Sequence, residues 1–408
     1  MGKVNKYNWH IGKELPIIDE HSKVKLDIIE RYIEIYLKFL TKGCFTSSLK
    51  LNIIDGFSGG GLYKGEITGS PLRIKKVIES TKKIITFERE QSNCPPIKFN
   101  IDFRFIEKNI DTFNFLEDIL KEYQYYCDKT KCINGTFMNS VDALINEIKV
   151  KSRAERSIFI LDQYGYADAP LPVVKKIFTE LENAEVILTF SVDSLIDYIT
   201  RSNPTVLINM GLSKEDCEQI FDVKEDNNFS RSKIQPLLYN TIVSVVGAAY
   251  YTPFFIRSDV SNRAYWLFHF SSHPTARDEM MKLHWDSQNT FQHFGKAGLQ
   301  MLIGYETCDT DNLFEFDNFA KEKSLETLKE EVPRLLFNKE PITFGNFKNN
   351  IINETPATVD FIKESLSYSM DSNEIEIIGK DNIKRRKHNT IKDNDIIKWN
   401  RIKQPKLF

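Results

Sequence analysis

Three short apolar runs in this chain each end in a carboxylate, and the first of them stops at a cluster of glycines. LNIID opens at Asp55 into Gly56-Phe57-Ser58-Gly59-Gly60-Gly61, FRFIE ends at Glu107, and SIFILD ends at Asp162. A brief, continuously apolar run suits a strand covered on both faces, as in a parallel sheet. Helical patterns lie between the runs. Ser22 to Leu40 reads as an amphipathic helix before the first strand. Ser70-Pro71 predicts a helix start, with serine as cap and proline in the first turn, running to about Ser80. IITFE (Ile84 to Glu88) then reads as a strand, Asp111 to Tyr126 as a helix, Val173 to Leu181 as a helix and EVILTF (Glu185 to Phe190) as a strand. Such alternation predicts an α/β fold, a Rossmann-like parallel sheet wrapped by helices. A mostly helical insertion follows at about 193–250. YTPFFIR (Tyr251 to Arg257) and AYWLFHF (Ala264 to Phe270), joined by a short loop, then predict an antiparallel edge pair.

At about 150 residues per domain, 408 residues suggest two or three domains. The patterns place the sheet domain in 1–305, a linker in 306–325 and a last domain in 326–408. That last part reads as helices over Ser324 to Phe337, Thr343 to Ile352 and Pro356 to Met370, then a strand from Glu374 to Ile378 and a basic loop. This is a winged helix-turn-helix outline. Charge sharpens it: residues 380–408 hold ten basic and three acidic side chains, a balance of +7 within a chain of net charge −2. The remainder is therefore acidic, and a polyanion such as DNA or RNA is expected at the basic end, on a wing carrying Lys384, Arg385, Arg386 and Lys387.

Other classes are excluded or disfavoured. The apolar stretch Thr241 to Ile256, interrupted by Gly247 and Pro253, falls short of the roughly 20 residues of a membrane span, so no membrane is expected. The first residues show no apolar run of a signal peptide. Six cysteines are scattered, and unpaired thiols in a reducing cytoplasm are the expectation. Cys127 and Cys132 lack a histidine to complete a zinc set, and His269, His273, His284 and His293 lack ligand spacing, so no metal is expected. Ser191 and Ser271 stand in no GxSxG turn.

The carboxylates point to a ligand cleft. In an open parallel sheet, ligands bind at the carboxyl ends of the strands, where strand order reverses. Glycines after Asp55 allow close approach of a ligand to backbone, although the pattern is not GxGxxG and no pyrophosphate is implied. An acid at the tip of a later strand, as Glu107 is, can accept hydrogen bonds from ribose hydroxyls. Asp162, in Asp162-Gln163-Tyr164-Gly165-Tyr166, is expected to face the same cleft.

LNIIDGFSGGGLY, TGSPLRIKKVI, FRFIEKN, FILDQYGYADAPLPVVKKIF and EVILTF together resemble the three-Cys-motif partner family, over roughly Lys23 to Phe190. The tail LFNKEPITFGNFKNN…TVDFIKESL is similar to that family's winged-helix end. Those proteins resemble class I S-adenosylmethionine-dependent methyltransferases. The resemblance implies S-adenosylmethionine as cofactor, with Asp55, Phe57, Ser58, Gly59 and Gly61 at its methionine part, Glu107 at its ribose and Ser140 or Asp142, after strand-like GTFMN, near its adenine. It implies that Asp162 accepts a hydrogen bond from a target amine while Tyr164 stacks on the base. It also implies a three-cysteine-motif protein as partner and a prokaryotic mobile-element or phage-defence setting. Gln163 stands where the family carries proline, and a looser loop there would lower or abolish methyl transfer. The alternative is a non-catalytic binder of cofactor or nucleotide.

Overall fold

The computed structural model describes residues 7–152, 155–163, 165–226, 231–257, 264–287, 292–293, 314–315, 318–380 and 382–400. Two compact units divide the chain, Met1–Leu283 and His284–Phe408. The expected domain edge at 305 lies outside the described residues.

The first unit is built on alternating strands and helices. Helix α1 (Glu20–Leu40) precedes β1 (Ser48–Asp55), whose last five residues are all buried, as a strand covered on both faces requires. A two-residue hairpin, β2 (Leu62–Tyr63) and β3 (Ile67–Thr68), leads into α2 (Ser70–Gln91). Then come β4 (Lys98–Glu107), α3 (Ile110–Glu122), β5 (Thr130–Asn134), α4 (Phe137–Lys151), β6 (Arg156–Asp162), α5 (Leu171–Glu180) and β7 (Ala184–Ser191). The insertion is helical: α6 (Val192–Tyr198), α7 (Thr205–Met210), α8 (Lys214–Glu225) and α9 (Arg231–Val246). Strands β8 (Tyr250–Arg257) and β9 (Ala264–Ser271) and helix α10 (Pro274–Asp286) follow.

Sheet order across this unit is β8-β9-β7-β6-β1-β4-β5. Five strands are parallel, and β9 runs antiparallel between β7 and β8. From β1 the chain builds outward to β4 and β5, then returns to the other side of β1 for β6 and β7. The reversal falls between β1 and β6, so a crevice opens at their carboxyl ends. This is a Rossmann-like α/β sheet, with its reversed strand near one edge.

Three local expectations are corrected. IITFE is not a strand: α2 continues through it to Gln91, because Ile74, Val77, Ile78, Thr81, Ile85 and Arg89 form one buried helical stripe. Short apolar runs look alike in both periods. GTFMN is not a strand either. The strand is Thr130–Asn134, and Thr136 accepts from the Asn139 N–H (3.2 Å) to cap α4. The parallel strand count stands, with Thr130–Asn134 in the place given to IITFE. Nor are all thiols free: Cys44 and Cys94 form a disulfide, their Cα atoms 4.9 Å apart. The Arg89 guanidinium gathers the two loops, donating to the carbonyls of Thr41, Gly43, Cys44 and Thr46, while its Nε takes Pro95 O. Sequence spacing carries no sign of that pairing.

In the second unit, after the end of α10, come two short paired strands, β10 (Gln292–His293) and β11 (Phe314–Glu315). Helix α11 (Asn318–Leu336) starts inside the stretch read as linker. Strand β12 (Ile342–Thr343), α12 (Phe344–Ile351), α13 (Val359–Ser365), α14 (Ser367–Asp371), β13 (Ile375–Ile378) and β14 (Ile396–Trp399) complete it. The strands form an antiparallel sheet in the order β12-β14-β13, and Leu328, Val332, Phe344, Ile352, Ile362, Leu366, Ile377 and Ile397 fill the core. Helices followed by a strand-loop-strand hairpin make a winged helix. The wing spans 379–395. The third helix read over Pro356 to Met370 is broken into α13 and α14.

Candidate functional site

Asp55, Glu107 and Asp162 stand at the tips of β1, β4 and β6, three adjacent strands with β1 in the middle. In-register pairing of Asp55 with Phe105 and with Ile160 brings the tips to one end of the sheet. The glycine loop is sewn to both neighbours: Gly56 N–H donates to Ile160 O (2.9 Å) and Ser58 N–H to Ile106 O (3.0 Å).

Asp55 is buried, yet its carboxylate is not idle. Ser70 Oγ donates to Oδ2 (2.6 Å) and Phe57 N–H to Oδ1 (3.2 Å). Burial pushes its pKa up to about 7; those two hydrogen bonds pull it down, and the charges of Asp162 and Glu107 push it up again. Ser70 thus serves the carboxylate rather than the helix cap. Gly69 is the N-cap residue, without a side-chain cap, and Pro71 sits in the first turn.

Glu107 is aimed by backbone. Gly59 N–H donates to Oε2 (3.1 Å) and Asn109 N–H to Oε1 (2.8 Å), and burial raises its pKa against those bonds. Both oxygens keep a further lone pair for a ligand hydroxyl.

The glycines have another occupant beside them. Gly59 and Gly61 adopt left-handed φ of +60° and +78°. A Cβ on Gly60 would lie 2.3 Å from the Trp9 indole, and one on Gly59 3.1 Å from it. Trp9 is itself buried, donates its ring N–H to Leu62 O, and meets Tyr63 edge-on. A Cβ on Gly61 would meet Leu116 at 3.1 Å. The missing side chains therefore make room for protein neighbours as well as for close approach of the loop backbone. Ser58 Oγ donates to Asp55 O (3.1 Å), and the Phe57 ring packs 6.1 Å from Phe137.

Asp162 is held by three hydrogen bonds from two side chains. Lys25 Nζ bridges both its oxygens (2.6 and 2.7 Å), and Thr189 Oγ1 donates to Oδ1. The Lys25 side chain is 8% exposed and that of Asp162 36%. Sequence reasoning missed Lys25, Trp9, Ser70 and Thr189. A signal did exist for Lys25: it shares a helix stripe with Ile28, Ile29, Tyr32 and Tyr36, where a lysine needs a partner.

Gln163 does not loosen the loop as expected. Its Oε1 accepts the Ala169 N–H (2.9 Å), Asp168 accepts the Gly165 N–H (2.8 Å), and Tyr166 OH donates to Ser191 O (2.6 Å). A side-chain tie restrains the turn where proline would have stiffened it. Tyr164 lies outside the described residues. Ser140 sits in the first turn of α4 and donates to Thr136 O (3.0 Å), beside Gly135 and thus near the tip of β4. Asp142 points away to an exposed pair with Lys176 (2.8 Å).

In the second unit the wing cations divide by role. Arg385 lays its Nε and Nη2 on buried Asp395 (2.8 and 3.0 Å), whose pKa is lowered by that contact. Arg385 is thereby a brace of the wing, not one of its free cations as the sequence reading had it. Lys384 pairs loosely with Glu376 (3.4 Å), while Arg386 and Lys387 are exposed. Arg401, Lys403 and Lys406 lie outside the described residues.

Residues 304–382 match the GMT-like wHTH domain family. No curated protein matches the chain. Among solved structures, WbdD is similar at 11% identity and TM-score 0.34, over 66% of this chain and 45% of that one. A precorrin-6y C5,15-methyltransferase from Geobacter metallireducens GS-15 is similar at 10% identity and TM-score 0.27, over 58% and 87%. So is a putative S-adenosyl-L-methionine-dependent methyltransferase from Methanococcus maripaludis, at 10% and 0.26, over 64% and 98%. The chain spans less than half the length of WbdD. At these values the strand order, not the likeness, carries the fold.

Proposed function

We propose that the first unit binds S-adenosylmethionine at the tips of β1, β4 and β6 and transfers its methyl group to an amine of a nucleic-acid base, the second unit supplying the hold on the polynucleotide. The observation that carries this reading is the convergence of Asp55, Glu107 and Asp162 on the crevice beside the glycine loop. Chemically the residues fit the cofactor. An ionisable buried carboxylate at Asp55 suits an ammonium group, and a pre-aimed Glu107 suits a ribose. Bound there, the cofactor supplies an electrophilic methyl on sulfur.

This chain's own residues have little covalent work to do; methyl transfer needs alignment and exclusion of water. Lys25 pairs with both oxygens of Asp162 and fixes its plane, and the carboxylate retains lone pairs on its open side to orient an acceptor amine. The Gln163–Ala169 tie holds the turn that bears Tyr166. On the second unit, α13 carries Asp360 and Glu364 against Lys363, so phosphate contact falls to Lys384, Arg386 and Lys387 on the wing.

The same Lys25–Asp162 pair favours a second reading, a non-catalytic cofactor binder. A carboxylate already neutralised has less to offer an amine. In that case the winged helix docks on a protein, of which the three-cysteine-motif partner is the resemblance's candidate, as is the mobile-element setting. Labelled methyl transfer from S-adenosylmethionine into mixed DNA and RNA pools separates the two. Transfer that is lost in Asp162→Asn with cofactor affinity kept within a few fold supports the enzyme. Cofactor binding with no transfer to any pool refutes it.

A further inference from the structure

At the opposite end of the sheet from the crevice, a cavity of about 220 Å³ opens between α1, the starts of β6 and β7, and the start of α10. Arg156 and Asp162 bound β6, so about 20 Å separate the cavity from the carboxylate cluster. Nothing in the proposed methyl transfer uses it.

Its wall is a mixture that cores avoid. Tyr32, Tyr36 and Phe39, on one face of α1, form an aromatic side. Facing them is Glu185, 5% exposed, on β7. Tyr32 OH donates to its Oε2, and His269 Nε2 meets the same oxygen at 2.9 Å. Both partners thus crowd one oxygen and leave the lone pairs of Oε1 to the cavity. A carboxylate taken out of water is costly unless a cation or several donors meet it. A phenol and an imidazole orient Glu185 without supplying a permanent positive charge; burial and the Glu185 charge both keep the Tyr32 hydroxyl protonated. Glu279 adds a second carboxylate to the wall, paired with Lys282 Nζ (3.0 Å), and the Arg156 guanidinium supplies donors.

We propose that this cavity is a binding site for a small zwitterion with an apolar body, a free amino acid bearing a large apolar or aromatic side chain. The ammonium meets the Oε1 of Glu185, the carboxylate meets the Arg156 guanidinium, and the side chain lies against Tyr32, Tyr36 and Phe39. Guanidinium and carboxylate pair bidentately, and aromatic faces favour both apolar groups and ammonium ions. The size agrees: a 150 Å³ apolar cavity accepts benzene, and drug-sized ligands take upward of about 300 Å³. The site stands independently of the methyltransferase reading.

Calorimetry on the full chain, with saturating S-adenosylhomocysteine present to block the crevice, tests it. L-Phenylalanine, phenethylamine and 3-phenylpropionate share one ring and differ in charge. The zwitterion is expected to bind at least tenfold more tightly than either half. Ala276→Trp, which fills the cavity from its wall, is expected to abolish that binding. Arg156→Met is expected to weaken L-phenylalanine at least tenfold while holding phenethylamine within a few fold, a pattern that misfolding does not produce. No binding of L-phenylalanine to the parent, equal binding of phenethylamine, or undiminished binding to Ala276→Trp would each overturn the proposal.

Discussion

Asp55 makes cofactor binding sensitive to pH in a range where ordinary aspartates are not. Its pKa of about 7 lies well above the usual 3.8, with burial as the leading cause. An ammonium group pairs with the ionised form, so apparent affinity scales with the ionised fraction. At pH 6 that fraction is about one tenth and at pH 8 about nine tenths, while an α-amino group of pKa about 7.8 is still about two fifths ammonium at pH 8, so S-adenosylmethionine should bind about fourfold more tightly at pH 8 than at pH 6. Binding at pH 6 should release close to one proton, read by calorimetry in two buffers of different ionisation enthalpy. Asp55→Asn should bind weakly and without this slope. Stability moves the other way. The folded pKa lies above the unfolded one, so stability from this group is lost as pH rises from about 4 to about 7 and then levels off. The full loss is of order 4 kcal/mol, and Asp55→Asn should therefore melt higher than the parent at pH 8 but not at pH 3.5. A flat affinity between pH 6 and 8, with no proton released, would refute the pairing of Asp55 with an ammonium.

Lys25→Met leaves Asp162 with Thr189 alone; with one side of the carboxylate open to water, the loss should be about 2–3 kcal/mol in urea melts, and Asp162→Asn in the same chain should recover most of it. On the wing, replacing Lys384, Arg386 and Lys387 by alanine should lower the slope of log affinity against log salt for duplex DNA by about 2 to 3 units. Arg385→Ala should instead unfold the second unit more easily, by about 2–4 kcal/mol, because it strands buried Asp395; equal stability losses in both variants would remove that division of roles. Gly60→Ala drives a methyl into the Trp9 indole, so it should cost about 1–3 kcal/mol and expose the indole to acrylamide quenching. The same substitution in a Trp9→Ala chain should be nearly silent.

Four of the five parallel strands were legible because continuous apolar runs such as LNIID and SIFILD have few other homes, whereas β5, with one buried residue, was not. IITFE shows the limit. It is as apolar as a strand, but its Ile85 continues a stripe begun at Ile74, and only the whole of α2 makes that period visible. GTFMN fails for the converse reason, since Thr136 acts through its hydroxyl as a cap and not through its place in an apolar run. The winged helix could be read from helix spacing and charge. The break between α13 and α14, within a run read as one helix, could not.

The acids of the crevice were found because each ends a strand, and strand ends converge by topology alone. What stands beside each acid comes from elsewhere in the chain, and that part was hidden. Lys25 reaches Asp162 across 137 positions, and Ser70 leaves its helix terminus for Asp55. Ser70 was read under a local rule, as a serine at an N-cap, and Lys25 was not singled out from its amphipathic helix. Local rules assign a polar side chain to water or to its nearest backbone. They fail where a buried charge elsewhere bids more strongly, because an unpaired buried carboxylate costs more than a lost cap. A lysine on the apolar stripe of a helix therefore signals a polar partner elsewhere in the fold, Asp162 for Lys25 and the Thr130 hydroxyl for Lys75, even when the sequence does not say which. Here three strand-tip acids were available, and the helix that precedes β1 delivers its lysine to the one on β6.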